Sequence, residues 1–109
     1  MSTVATNFRH VVWFEFKPEV TPPRIEQMAK AFAAFCEQLN FVSALEWGTN
    51  SSTEGINLGF THCFIVSFAD AAGRDAYLVH PLHQSFCAQE LDPILNRVAV
   101  IDYQIKPLV

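Results

Sequence analysis

The chain has 109 residues, which is the size of one ordinary domain and leaves no room for a second. Half of the residues are hydrophobic and 17% are charged, so the composition predicts a folded globular protein and excludes a disordered one. The net charge of −4, without a cluster of Lys or Arg, lacks the electrostatic pattern of nucleic-acid binding, and we expect no nucleic-acid partner.

The distribution of apolar residues and cysteines favours a cytoplasmic protein with no membrane partner. No apolar run approaches the length of a membrane span, and the first residues lack the basic and apolar regions of a signal peptide. Cys36, Cys63 and Cys87 are odd in number and far apart, which argues against a disulfide framework and a zinc site. We therefore expect reduced thiols and no bound metal.

The first predicted strand is FRHVVWFEFK, residues 8–17, which is rich in β-branched and aromatic residues and stops before Pro18. Its period of two divides the side chains between two faces: His10, Val12, Phe14 and Phe16 on one, Val11, Trp13, Glu15 and Lys17 on the other. Large apolar groups stand on both faces, so this strand needs cover on both sides.

A helix is predicted from Pro22 to about Leu39, with Thr21 as its N-cap and proline in the favoured first position. Its apolar residues recur at helical spacing: Ile25, Met28, Ala29, Phe32, Phe35, Cys36 and Leu39. A second extended segment, VSALEWGTN, follows and leads into SSTEGINLGF, whose polar and glycine content indicates a long loop.

The next strand, THCFIVSF, places His62 on the same face as Phe64, Val66 and Phe68. Asp70 can cap a helix that runs to about Val79.

Pro81 interrupts this helix, because proline lacks an N–H and disfavours a helical residue before it. A second helical piece is predicted from Pro81 to roughly Leu95, and VAVIDYQI forms the last strand.

The resulting order, β-α-β-β-α-β, predicts a single α+β domain of the ferredoxin-like class, with its core at about residues 8–105. Two helices can cover only one face of a four-stranded antiparallel sheet. The other face carries Val11, Trp13, Cys63 and Ile65, which would form an exposed apolar patch on a monomer. We therefore predict a homodimer that packs sheet to sheet.

Several segments together resemble the stress-responsive α/β-barrel domain family, from about Phe8 to Ile105: RHVVWFEFK, EWGTNSS, GFTHCFIVSF, AYLVHPLHQSF and VIDY. The resemblance implies a dimeric α+β barrel. The family includes a plant polyketide cyclase, and similarity to it implies four functional side chains here: Tyr77, His83, His62 and His10.

The chemistry of these residues is compatible with that implication. An intramolecular aldol condensation needs a base that removes a carbon-bound proton and a donor for the developing alkoxide. The imidazole of His83 suits the base, the phenol of Tyr77 suits the donor, and His10 and His62 would orient the substrate. No cofactor is expected.

A site between sheet and helices would be an apolar chamber for a small apolar or aromatic ligand, with walls of Val12, Phe14, Met28, Phe32 and Phe64.

Other interpretations of the histidines stay open. His80 and His83 flank Pro81, where histidines often only satisfy backbone groups, and for His80 we favour that structural role. The HxxH spacing has no neighbouring carboxylate or thiol that would complete the shell of a transition metal. A magnesium ion at the subunit junction, which the resemblance to the family allows, stays open.

Two further functions are compatible with the sequence. In one, the protein is a non-enzymatic, stress-associated barrel whose assembly is the function. In the other, suggested by the wider dimeric barrel class, it is a cofactor-free monooxygenase or a haem-degrading enzyme. The sequence alone does not decide whether the protein is an enzyme.

Overall fold

The structure, a computed structural model, describes residues 7–108. The strands in this part of the chain are β1 (Phe8–Phe16), β2 (Ala44–Thr49), β3 (His62–Phe68) and β4 (Leu95–Gln104). The helices are α1 (Pro22–Glu37), α2 (Ala71–Val79) and α3 (Pro81–Phe86), and α3 continues into a π-helical turn, Cys87–Leu91. The strands form one antiparallel sheet in the order β2-β3-β1-β4, which confirms the predicted α+β ferredoxin-like arrangement.

β1 is central, and its alternation of faces decides where the core lies. His10 pairs with Val66 on β3 and with Asp102 on β4, while Phe14 pairs with His62. The face that carries His10 and Phe14 is buried beneath the helices. Its core includes side chains from the sheet and from α1 to α3: Phe14, Phe64, Phe68, Met28, Phe32, Phe35, Tyr77 and Phe86.

α1 begins at the predicted residue and ends slightly earlier than predicted. Thr21 occupies the N-cap position, but its side chain makes no capping hydrogen bond. The helix ends at Glu37 rather than Leu39, although Leu39 remains buried in the core. Asp70 does cap α2 as predicted, because its Oδ1 accepts a hydrogen bond from the Gly73 N–H at 3.0 Å.

The second helical piece and the last strand differ from the prediction. The helical piece does not reach Leu95, because Pro93 cannot donate to a helical turn and disfavours a helical Asp92. The N–H of Asp92 instead donates to the Cys87 carbonyl at 2.8 Å, which closes the π-helical turn. β4 consequently starts at Leu95, three residues before the predicted start at Val98.

The opposite face of the sheet, which we call the outer face, is not covered by any helix of residues 7–108. Trp13 and Ile101 on this face are 38% and 57% exposed. The helices among residues 7–108 are all too short or too polar to cross a membrane.

Candidate functional site

The two histidines that flank Pro81 have different surroundings. His80 is the N-cap of α3, and its Nδ1 accepts a hydrogen bond from the Leu82 N–H at 3.1 Å. This contact supports the structural role favoured for His80, because the first N–H groups of a helix have no partner inside the helix. His83 lies one turn further on and faces the inside of the domain.

His83 lines a cavity of about 260 Å³ between α2, α3 and the inner face of the sheet. His10 and Tyr77 line the same cavity, so the structure brings together three of the four predicted site residues. The other lining residues are largely apolar: Val12, Phe14, Phe32, Leu78, Phe86, Cys87, Leu91, Asp92, Leu95, Val98 and Val100.

Tyr77 is the central side chain of this group and is only 1% exposed. Its ring centroid lies 4.5 Å from that of His83 and 5.6 Å from that of His10. Burial, with smaller contributions from Cys36 and Cys87, raises the pKa of the Tyr77 phenol well above its ordinary value of 10. The phenol therefore keeps its proton at neutral pH and can only donate or accept hydrogen bonds as a neutral group.

His83 contacts Cys87 through one ring nitrogen, and its other ring nitrogen is buried. Nε2 lies 3.6 Å from the Sγ of Cys87, within hydrogen-bond distance for sulfur. Nδ1 has almost no accessible surface. Burial lowers the pKa of His83, a hydrogen bond with the Leu78 backbone partly opposes this shift, and His10 reinforces it. The imidazole is therefore neutral at pH 7 and able to act as a base.

His10 is buried and belongs to a chain of polar contacts. Its Nδ1 lies 2.7 Å from Oδ1 of Asp102, directly opposite on β4. The other carboxylate oxygen of Asp102 accepts a hydrogen bond from Arg74 Nη1 at 2.8 Å. Because Asp102 occupies Nδ1, Nε2 is the nitrogen of His10 that is left for a bound molecule.

His62 is the predicted site residue that the structure places elsewhere. It pairs with Phe14, four residues along β1 from His10, which is a separation of about 13 Å in a strand. Its Nδ1 contacts the Thr61 hydroxyl at 2.7 Å, and its ring packs on Phe16. It lines a second cavity of about 410 Å³, together with Trp13, Cys63 and the loop before β3. The alternation of side chains along the strands correctly placed His62 on the same face of the sheet as His10. It could not show that the two histidines lie at opposite ends of that face.

The predicted apolar walls are present only in part. Val12, Phe14 and Phe32 line the cavity, whereas Met28 and Phe64 do not. Phe64 is fully buried because the rings of Phe32 and Trp47 both stack against it. Each of these rings has its centroid 5.1 Å from that of Phe64. Aromatic side chains thus fill the space around Phe64 where the sequence suggested room for a ligand.

Asp102 and Arg74 were not singled out in the sequence. One signal could have identified Asp102: it is the acidic residue in an otherwise apolar strand, VAVIDYQI, at a position that faces inward. Arg74 carried no comparable signal, because its contact with Asp102 depends on how α2 crosses the sheet. In the described part of the chain, no three His, Cys, Asp or Glu side chains lie close enough to hold a metal ion.

Two relatives resemble the chain over most of its length. The stress-response A/B barrel domain-containing protein HS1 of Arabidopsis thaliana is 33% identical over 96 residues, which cover 88% of this chain and 87% of the relative. Olivetolic acid cyclase of Cannabis sativa is 24% identical over 78 residues, which cover 72% of this chain and 77% of the cyclase.

Solved structures resemble the fold closely. A crystal structure of an Arabidopsis thaliana protein superimposes with a TM-score of 0.88 at 31% identity and covers 94% of this chain and 98% of its own. A dimeric ferredoxin-like protein of unknown function from Jannaschia sp. CCS1 has a TM-score of 0.77 at 25% identity, with 90% and 98% covered.

The family model described as Stress responsive A/B Barrel Domain matches residues 8–105. This range contains every strand and helix of the described structure, and it confirms the family that the sequence motifs resemble. The chain belongs to the stress responsive A/B barrel domain family.

Proposed function

We propose that the cavity bounded by His10, Tyr77 and His83 binds a small apolar or aromatic molecule with a carbonyl or hydroxyl group. We propose further that these side chains act on it by acid-base chemistry of a cyclase or lyase type. The observation that carries the proposal is that His10, Tyr77 and His83 line one cavity, with the ring centroids of Tyr77 and His83 4.5 Å apart. A few polar side chains that converge on a mainly apolar cavity are the usual composition of a small-molecule site.

The size and walls of the cavity limit the ligand. A volume of about 260 Å³ is small for a ligand site and suits a compact molecule, such as a substituted phenol or a short β-diketone. The walls are mainly aliphatic and aromatic, and the polar side chains among the lining residues are His10, Tyr77, His83 and Asp92. A ligand would place its oxygen atoms toward the two histidines and Tyr77 and its apolar part against Val98 and Val100.

The protonation states support distinct roles for the two central residues. Neutral His83 can remove a proton from a carbon next to a carbonyl group. Protonated Tyr77 can donate a hydrogen bond to the oxygen on which negative charge develops. Nε2 of His10 can orient the same molecule. The similarity to olivetolic acid cyclase supports this type of reaction over others.

A binding experiment tests the first part of the proposal. The melting temperature would be followed with increasing p-cresol, resorcinol or acetylacetone, for the native protein, His83→Ala and His62→Ala. A ligand that binds only the folded state raises the melting temperature in proportion to its occupancy. We expect the native protein and His62→Ala to respond and His83→Ala to lose the response, since His62 lies outside the cavity.

Proton exchange tests the second part. Acetophenone in D₂O exchanges its α-protons slowly, and NMR spectra would show whether the protein accelerates this exchange. We expect acceleration by the native protein, its loss in His83→Ala and a reduced rate in Tyr77→Phe. The proposal is wrong if no ligand perturbs the NMR signals of Tyr77 and His83, or if His62→Ala and His83→Ala lose binding equally.

We infer, as a second functional property, that two copies associate through the outer face of the sheet. Trp13, Ile101 and Tyr103 on this face are each more than a third exposed and form an apolar surface on an isolated chain. The similarity to a protein described as dimeric supports the same assembly. If the cavity proves inactive, this assembly is the alternative function, in keeping with the stress-response name of the relative HS1.

Sedimentation equilibrium of Ile101→Lys and Val79→Lys tests the assembly. Both positions are exposed, at 57% and 70%, but Val79 lies on α2, away from the outer face. We expect Ile101→Lys to be a monomer and Val79→Lys to remain a dimer, because a charge in the interface would be buried without a partner. A dimeric Ile101→Lys would exclude the outer face as the interface.

A further inference from the structure

His10, Asp102 and Arg74 form a continuous chain of polar contacts from the cavity to α2, and the acid-base proposal uses only the first of them. The two contacts are short, 2.7 Å from His10 to Asp102 and 2.8 Å from Asp102 to Arg74. The side chains of His10 and Asp102 are only 7% and 17% exposed, and that of Arg74 is 23% exposed. His10 and Arg74 thus contact different oxygens of the same carboxylate.

Arg74 is held in place by contacts that need no ligand. Its Nε donates a hydrogen bond to Asp75 at 2.8 Å, and its guanidinium lies 4.9 Å from the centre of the Phe8 ring. Gly73 allows α2 to lie close to β3, because a Cβ at this position would lie 3.3 Å from the side chain of Phe68. The guanidinium is thus fixed against Asp102 in the unliganded protein.

The contact with Asp102 determines which nitrogen of His10 carries a proton. An ionised carboxylate can only accept, so Nδ1 of His10 carries a hydrogen and donates it to Asp102. In this tautomer Nε2 accepts a hydrogen bond, whereas in the other tautomer Nε2 carries the hydrogen and donates one.

The other polar side chains near His10 do not replace Asp102. Tyr77 on α2, His83 on α3 and Asp92 after the π-helical turn line the same cavity as His10, whereas Nδ1 of His10 contacts Asp102. Arg74 holds the second carboxylate oxygen of Asp102. Without Arg74, the carboxylate loses the partner that fixes its orientation toward Nδ1.

We propose that Arg74 is a positioning residue. It holds Asp102 against Nδ1 of His10 and so fixes the tautomer in which Nδ1 carries the hydrogen and Nε2 accepts a hydrogen bond from the ligand. The site then selects molecules that donate a hydrogen bond, namely neutral phenols and enols, over carboxylates. The selection of ligands rests on the proposed function of the cavity, whereas the effect on His10 depends only on the contacts of Arg74.

NMR spectra of the imidazole nitrogens of ¹⁵N-labelled protein at pH 7 test the effect on His10 without a ligand. We expect the ratio of the Nε2–H to the Nδ1–H tautomer of His10 to rise about tenfold in Arg74→Met, because Asp102 loses the partner that orients it. Arg74→Ala, which favours a helix, should give the same result if Arg74→Met does not fold. Arg74→Lys, which can still donate to Asp102, should stay close to the native ratio. Arg97→Met removes an exposed arginine that is paired with Glu15 and should change nothing.

Binding of p-cresol and benzoate to the same variants tests the selection of ligands. We expect the native protein and Arg97→Met to prefer p-cresol, and the preference to move toward benzoate by about tenfold in Arg74→Met, because an Nε2–H of His10 donates to a carboxylate. A lower melting temperature alone does not change the preference between the two ligands.

Two results separate the possible failures. An unchanged tautomer ratio of His10 in both Arg74→Met and Arg74→Ala overturns the role of Arg74, whatever the ligands do. A changed tautomer ratio in these variants, together with a native protein that binds neither p-cresol nor benzoate, supports the role of Arg74 and overturns the proposed function of the cavity.

Discussion

The two faces of the sheet are built from alternate residues of the same strands, yet they differ in burial and in chemistry. On the inner face, Phe14 and Phe64 are 1% and 0% exposed, and the cavity with its histidines and tyrosine opens beside them. On the outer face, Trp13 and Ile101 remain 38% and 57% exposed. Both faces are apolar in sequence, so hydrophobicity alone does not make a core. The helices that cover one face decide which residues become core and which stay available to a second chain.

The largest expected effect concerns the inner face. Phe64→Ala should lower the free energy of unfolding by about 3–5 kcal/mol, because it leaves a cavity among stacked aromatic rings. Urea denaturation at several protein concentrations measures this. Trp13→Ala is the matched change on the outer face, and its effect should depend on protein concentration, since we expect only a second chain to bury that side chain. Equal effects that do not depend on concentration would contradict the difference between the faces.

The second prediction concerns the loop beside the outer face. Gly59 has a φ of +87°, and a Cβ there would lie 2.6 Å from Glu15 and Arg97, which pair across β1 and β4. We expect Gly59→Ala to cost about 2 kcal/mol in thermal unfolding, from strain and from disturbance of this ion pair.

Gly55→Ala provides the control for that change. Gly55 has a similar φ of +74°, but nothing lies within 4 Å of the position of a Cβ. Its cost should therefore be limited to backbone strain, about 1 kcal/mol. If both alanines cost the same, the close contact with Glu15 and Arg97 contributes nothing.

A smaller effect is expected at the helix that brings Tyr77 over the inner face. Asp70→Ala removes the hydrogen bond to the Gly73 N–H and should lower the free energy of unfolding by about 1 kcal/mol. Thr21→Ala should be nearly neutral, because Thr21 holds the same position at α1 without a capping hydrogen bond. Chemical denaturation of both variants decides whether the side-chain bond or the position itself matters.

The smallest effect is a dependence on pH. Burial lowers the pKa of His83 below its ordinary value of 6.5 in the folded protein. Between pH 6.5 and that lowered value the unfolded chain binds a proton that the folded protein does not, so stability falls as the pH falls through this window. His83→Gln should show a shallower fall in melting temperature below pH 6.5. The residual slope should include His62, whose pKa burial also lowers. An identical slope in His83→Gln would show that His83 is not buried as the structure indicates.

Local sequence patterns predicted most helices and strands correctly. They failed at Pro93, a helix-ending residue that the prediction did not take into account. The alternation in FRHVVWFEFK assigned His10, Val12 and Phe14 to the inner face, and the spacing of α1 gave its buried residues. The helix predicted after Pro81 was too long, because the prediction ignored that Pro93 ends a helix. The predicted last strand, on which Asp102 lies, was too short for the same reason.

The candidate site could be predicted only in part, because its members come from different elements. Sequence motifs identified His10, Tyr77 and His83, but the alternation of side chains along a strand does not show that His62 lies at the far end of the sheet. The sequence also does not show that Met28 and Phe64 are fully buried in the core and do not line the cavity. The contact between Arg74 and Asp102 joins a helix to an edge strand 28 residues away, a separation over which no periodic pattern operates.

The sequence by itself determined the type and order of the elements, the inner and outer sets of side chains, and the family. These properties depend on short-range rules of backbone geometry and burial, which act within a few residues. Only the tertiary structure decided that three of the four predicted side chains share one cavity and that Asp102 and Arg74 join them. The physical reason is that such contacts depend on the crossing of α2 and α3 over the sheet, which is set by packing across the whole domain.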